Sequence, residues 1–188
     1  ILSITRGTLA ASSNYNLTFV DGTLAIDRRP ITVTAVNTSR VYGDSNPEFI
    51  YNVATDNGIT RGLVNGDTLI GTPSTTAIAT TNVGTVLITQ GTLINTNNTN
   101  YTIIFNNGTL TIDRRPITVT AITETRTYNG TIESSKTPTY TGLIAADTGK
   151  LTGLAQVFNS ANANGTNGST LSVSTYVLDL TISRSEEH

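Results

Sequence analysis

The sequence predicts an all-β protein assembled from tandem small domains, sandwich-like or β-grasp-like, in an elongated array. Three observations lead there. A fourteen-residue string occurs twice with one change, GTLAIDRRPITVTA at Gly22–Ala35 and GTLTIDRRPITVTA at Gly108–Ala121, 86 positions apart, and a long repeat at fixed spacing marks stacked copies of one unit. Around both strings large apolar residues alternate with threonine and asparagine, the period of a half-buried strand. No helical period persists beyond about two turns, and a single turn around Leu63–Leu69 is the only helical candidate.

Composition narrows the class further. Charged residues make up 13% of the chain and the net charge is -2, so there is no basic field for nucleic acid or anionic lipid. Threonine and asparagine supply roughly a third of the residues and cysteine is absent. Stability must therefore come from strand pairing and packing rather than disulfides. No apolar run approaches about 18 residues, and the first twenty residues lack a basic start followed by an apolar stretch, so no membrane insertion is expected. With Ile1 first and no methionine, the sequence is expected to be cut from a longer polypeptide.

Each element follows from its pattern. Tyr15, Leu17 and Phe19 precede Asp21-Gly22, with Leu24 and Ile26 after. Tyr101, Ile103 and Phe105 precede Asn107-Gly108, with Leu110 and Ile112 after. Two-residue turns with positive φ favour these dipeptides, so both are predicted to close hairpins. Asp27-Arg28-Arg29-Pro30 and Asp113-Arg114-Arg115-Pro116 follow, each leading into another alternating strand, Ile31-Val33-Ala35 or Ile117-Val119-Ala121. Proline lacks a ladder donor and holds its predecessor extended, which predicts short, stiff domain joints at Arg28, Arg29, Pro30, Arg114, Arg115 and Pro116. Further landmarks recur: Arg40-Val41-Tyr42-Gly43-Asp44 matches Arg126-Thr127-Tyr128-Asn129-Gly130, and Gly62–Thr68 (GLVNGDT) matches Gly142–Thr148 (GLIAADT).

These motifs in combination resemble the MBG ("mostly β, glycine-rich") domains of large bacterial surface proteins of the filamentous haemagglutinin and adhesin type. Residues 31–116 carry ITVTA, VYGDSNPEF, GLVNGDTL, TNVGTVLIT and NYTIIFNNGTLTI in order, and residues 117–182 resemble the sister YDG module, with Asn129 in place of the aspartate of the name-giving triplet. The expected organisation is a final hairpin of a preceding unit at 1–30, a complete MBG-type domain at 31–116, a YDG/MBG-type domain without its final hairpin at 117–182, and a tail of vector origin at 183–188. The resemblance implies an extracellular stalk segment of an adhesin on the bacterial surface, in a cell-adhesion or biofilm setting, holding a distal binding domain away from the cell. The alternative reading is a module that itself contacts host glycan, exopolysaccharide or matrix protein through loops such as Tyr51–Gly58 and Asn95–Asn100. The family brings no catalytic residues and no cofactor.

Chemistry-bearing residues are few. The single histidine is His188 in the tail, and without cysteine the usual nucleophile and base pairs are lacking, so no enzyme is expected. Asp67 and Asp147 are weak metal candidates, outweighed by a role in fixing their GLxxxD loops. The arginine pairs suit an anionic glycan, but each follows an aspartate and lies at a joint, so solvated or interdomain pairing is expected instead. Thr32-x-Thr34 and Thr118-x-Thr120 resemble one rung of an ice-binding ladder that would need many rungs. Eight glycosylation triplets begin at Asn16, Asn37, Asn97, Asn100, Asn107, Asn129, Asn164 and Asn167, most of them compositional. The seven tyrosines are predicted to point inward or to mark the Tyr-Gly landmark, which favours the stalk. Partners are the neighbouring repeats, with head-to-tail strand complementation expected between the incomplete units.

Overall fold

The computed structural model describes residues 2–57, 61–95, 99–163, 165 and 168–178. Glycosylation triplets at Asn97, Asn164 and Asn167, part of each predicted binding loop and the tail at 183–188 lie outside the described residues. The chain is nearly all-β. Its strands are β1 (Leu2–Ile4), β2 (Gly22–Leu24), β3 (Arg29–Ala35), β4 (Thr38–Val41), β5 (Tyr51–Val53), β6 (Gly84–Ile88), β7 (Tyr101–Asn106), β8 (Gly108–Asp113), β9 (Thr118–Thr120), β10 (Thr139–Thr141), β11 (Leu151–Phe158) and β12 (Leu171–Leu178). They form two three-stranded sheets, β5-β3-β7 and β4-β8-β6, and three two-stranded ones, β1-β2, β10-β9 and β11-β12.

Two compact units emerge. The first holds 1–38, 47–76 and 85–111, and the second 39–46, 77–84 and 112–188. Segments 39–46 and 77–84, from the middle of the expected 31–116 domain, thus group with the later residues.

In the first unit β3 is the central strand, antiparallel to β5 and parallel to β7. Its alternation puts Ile31, Val33 and Ala35 inward, the first two at 0% exposure. Leu69, Leu93 and Tyr101 close over them, with Val53, Leu63, Ile103 and Phe105 packed alongside. Burying an aliphatic side chain of this size stabilises by about 1.5–3 kcal/mol, so this cluster anchors the unit.

Neither predicted hairpin forms. β7 and β8 lie in different sheets, and neither Gly108 nor Gly22 takes a positive φ. Gly108 is needed for closeness instead: a Cβ there would stand 2.9 Å from the Ala35 carbonyl oxygen and 3.0 Å from the Ala35 Cβ. A hairpin would need an open edge on β8, but β8 is the central strand of its sheet and both its edges are taken, by β4 and β6. At the earlier copy, β2 pairs with β1, and Tyr15–Phe19 is not a strand. The Asn-Gly turn with positive φ occurs elsewhere, at Asn65 (φ 59°) and Gly66 (φ 75°), closed by Asp67 N–H donating to the Val64 carbonyl at 3.0 Å. In the matching GLIAADT segment two alanines replace Asn-Gly. Alanine resists positive φ, so Ala145–Asp147 forms a 3₁₀ turn that keeps the same bond, Asp147 N–H to Ile144 O at 3.0 Å. No helical turn forms at Leu63–Leu69, where the sequence offered its one candidate, because Asn65-Gly66 take positive φ there.

The second unit is organised by β11 and β12, an antiparallel ribbon with register shifts between Thr152 and Gln156. Gln156, 2% exposed, stands in for a strand: its Oε1 accepts from Ile122 N–H at 2.7 Å and its Nε2 donates to Ile122 O at 2.8 Å and to Ser134 Oγ at 2.9 Å. Hydrogen bonds from Ser134 and Ser135 onto Glu124 hold that carboxyl below its ordinary range. Nothing in the sequence pattern marked Gln156.

Replacing Gln156 with leucine strands the donor and acceptor of Ile122 and is expected to lower stability by about 2–4 kcal/mol. Chemical denaturation with near-equal loss on Gln156→Leu and on a neutral surface change would contradict that role.

Candidate functional site

The second arginine of each Arg-Arg-Pro string is a clamp, not part of a free linker. Arg29 and Pro30 are the first residues of β3, in register with Tyr101 and Thr102. Arg29 Nε donates to the Gly62 carbonyl at 2.9 Å, and its guanidinium pairs with Asp56. Arg115 repeats the gesture: Nε donates to the Gly142 carbonyl at 3.0 Å. Gly62 and Gly142 open the matching GLVNGDT and GLIAADT segments, so each clamp ties an Arg-Pro string to the loop that follows in its own unit. Arg28 and Arg114 are exposed. The aspartates adjacent in sequence, Asp27 and Asp113, are not the salt-bridge partners of the clamping arginines.

Arg115 has a second set of contacts, all within the second compact unit. Nη1 donates to the Tyr42 carbonyl at 3.2 Å and to Asp44 Oδ1 at 2.7 Å. The Tyr42-Gly43-Asp44 turn is thereby held against Gly142–Asp147. Gly43 (φ 91°) allows the approach, since a Cβ on it would fall 2.5 Å from Ile144 Cγ2. Tyr42 completes the contact by donating its hydroxyl to Asp147 Oδ1 at 3.3 Å. Burial, and then that hydrogen bond, raise the Tyr42 pKa above its ordinary value, so the phenol stays a neutral donor.

Behind the turn sits Arg40, a buried cation satisfied by neutral oxygens. It donates through Nε to Asn46 Oδ1 at 2.7 Å, through Nη1 to Val41 O at 3.2 Å, and through Nη2 to Ile78 O at 2.5 Å. Asn46 in turn donates to Ala77 O at 2.6 Å. Its counterpart Arg126 donates to the Thr131 and Glu133 carbonyls and lies 4.5 Å from the centre of the Phe158 ring, within cation–π range. The recurrence of arginine two residues before each landmark tyrosine was the signal for both.

Asp67 and Asp147, the two weak metal candidates, each receive a tyrosine hydroxyl. Tyr101 donates to Asp67 Oδ2 at 2.6 Å, which raises the tyrosine pKa, while Asp147 takes Tyr42 and an ion pair with Lys150 at 2.7 Å. Among the described residues no three His, Cys, Asp or Glu side chains gather as metal ligands would. The expectation that the tyrosines lie inward or mark the Tyr-Gly landmark fits buried Tyr101, half-buried Tyr51 and the landmark residues Tyr42 and Tyr128, and is corrected at Tyr15, Tyr140 and Tyr176, which are exposed. Tyr15 lies in no strand, and Tyr140 and Tyr176 lie in two-stranded sheets, which offer little surface against which to bury a ring.

Residues 31–111 match the family model of the MBG domain, YGX type, and Tyr42-Gly43-Asp44 within that span carries the Tyr-Gly-x pattern. An MBG domain thus occupies this segment, less than half of the 188 residues. Such domains are structural, adhesin-type units of bacterial surface proteins and are not known as enzymes. No curated protein and no solved structure matches the chain. No helix among the described residues is long and apolar enough to cross a membrane.

Truncating Arg115 to alanine is expected to cost about 1–2 kcal/mol, because two carbonyls lose a charged donor while the half-exposed Asp44 pair itself adds little. Gly43→Ala is expected to cost about 1–3 kcal/mol through crowding of Ile144 and an unfavourable φ. Hydrogen exchange should speed up at residues 142–148 in both variants; protection there equal to that of the parent chain would remove the clamp.

Proposed function

We propose that this chain is a stalk segment of an exported bacterial adhesin, in which successive repeats are fixed to one another so that a distal binding domain is projected from the cell. In this reading residues 117–182 are a second, YDG-type unit following the MBG domain, and its neighbours in the polypeptide are its chief partners. The observation that carries the reading is the contact of the Tyr42-Gly43-Asp44 turn with Arg115 and Asp147. Arg115, at the end of the first repeat, bonds the Tyr42 carbonyl and Asp44 of that repeat and the Gly142 carbonyl of the one that follows, and the Tyr42 hydroxyl donates to Asp147. A short connection pinned in this way resists bending. Low charge and threonine-rich strands suit a filament that must tolerate varied salt.

Small-angle scattering tests it on the whole chain. The expected profile is elongated, unchanged by a chelator, and broadened toward flexibility by Arg115→Ala; a compact profile insensitive to that substitution counts against the stalk.

A second reading, a module that itself contacts glycan or matrix protein, is favoured by the exposed rings of Tyr128, Tyr140 and Tyr176, since flat aromatic faces stack on sugars and anchor protein contacts. Binding to an immobilised glycan panel that falls at least tenfold on Tyr128→Ala or Tyr176→Ala would select it, and unchanged binding or none would not.

A further inference from the structure

Asn-Gly occurs six times in this chain, and at Asn65, Asn107 and Asn129 both residues of the pair are described. An asparagine before glycine is open to attack on its side-chain amide by the glycine backbone nitrogen, because glycine brings no side chain to block the approach and its backbone turns freely. In a folded chain the outcome depends on what holds that backbone and on what polarises the amide. The three sites differ in both.

At Asn107 the following glycine opens β8 and is buried, and a Cβ on it would stand 2.9 Å from the Ala35 carbonyl oxygen. Thr109 N–H, next in the strand, donates to Asn37 Oδ1 at 2.8 Å. The Gly108 nitrogen cannot swing toward the Asn107 side chain without leaving that packing. At Asn65 the backbone is held in a tight turn by Asp67 N–H on the Val64 carbonyl at 3.0 Å. Asn129 and Gly130, by contrast, are both exposed, and a Cβ on Gly130 would meet only the Tyr128 hydroxyl, at 3.9 Å. The room that ring closure needs is present there.

The amide of Asn129 is also activated. Its Oδ1 accepts from Thr131 N–H and from Thr131 Oγ1, each at 3.1 Å. Thr131 Oγ1 in turn accepts from Arg126 Nη1 at 3.2 Å, and the same guanidinium is fixed on the Thr131 and Glu133 carbonyls. Two donors, one of them polarised by a cation, therefore face the oxygen that gathers negative charge when the amide carbon is attacked, which is where fixed donors lower a barrier.

We propose that Asn129 is a self-modification site, at which the chain converts its own asparagine to aspartate or isoaspartate, with Thr131 stabilising the developing oxyanion and Arg126 positioning Thr131. The Gly130 nitrogen bonds to Asn129 Cγ and loses its proton. The Cγ–Nδ2 bond breaks, and ammonia leaves with that proton as the succinimide ring closes. Water then opens the ring, at Cγ to give aspartate or at the backbone carbonyl to give isoaspartate. Either product adds a carboxylate to the loop that Arg126 clamps.

The test is to age the folded full chain at mildly alkaline pH, digest it and follow each site by mass spectrometry, conversion adding about 1 Da. Asn129 should convert at least fivefold faster than Asn65 and Asn107. In urea, where no fold distinguishes the sites, the three rates should agree within about threefold. Thr131→Val removes the hydroxyl and keeps the shape, and should slow Asn129 at least threefold in the folded chain, whereas Thr131→Ser should keep the parent rate. Equal conversion of the three sites in the folded parent would overturn the proposal. So would the same preference for Asn129 in urea, or a Thr131→Val chain that ages at the parent rate.

Discussion

Burial of Ile31, Val33 and Ala35 on one face of β3 is the constraint from which the first unit follows. A strand covered on one face and bonded on both edges must have partners whose own alternation is in phase with it. β5 and β7 supply that phase, and Tyr101 then lies where its ring closes the core while its hydroxyl reaches Asp67. The loop carrying Asp67 is held from the opposite side by Arg29 on the Gly62 carbonyl. One apolar alternation thus positions two polar anchors, and those anchors fix a loop that has little hydrophobic content of its own.

Strands this short leave much backbone outside any ladder, and buried backbone groups need partners. Here long polar side chains supply them. Gln156 takes both groups of Ile122, Arg40 gathers carbonyls from Val41 and Ile78, and Arg115 takes those of Tyr42 and Gly142. A chain without cysteine has no covalent staple for such segments, so directional bonds from arginine and glutamine take that part. The guanidinium fork of Arg115 reaches the Gly142 carbonyl and the Tyr42-Gly43-Asp44 turn at once, whereas an ammonium has no fixed planar fork with which to do both.

The two copies also separate what a motif does from how it is spelled. Asn65-Gly66 and Ala145-Ala146 form turns of opposite φ sign and preserve the same hydrogen bond to the aspartate N–H. The aspartate side chain meets a tyrosine in both, Tyr101 in one and Tyr42 in the other. The bond is kept while the donor's place in the chain changes.

The all-β class, the core face of β3, the repeated loop landmarks and the presence of an MBG domain were legible in the sequence, because side-chain period and repeat spacing are local properties that survive without coordinates. Pairing was not legible. Asn107-Gly108 has the composition of a tight turn, yet its strands belong to different sheets because β4 and β6, distant in sequence, take both edges of β8. The sequence marked the arginine pairs as solvated or paired between domains, but not that Arg115 bonds a turn some seventy residues away. Periodicity states which face of a strand is buried; only the tertiary structure decides what it is buried against, since long-range partners are chosen by the packing of the whole unit.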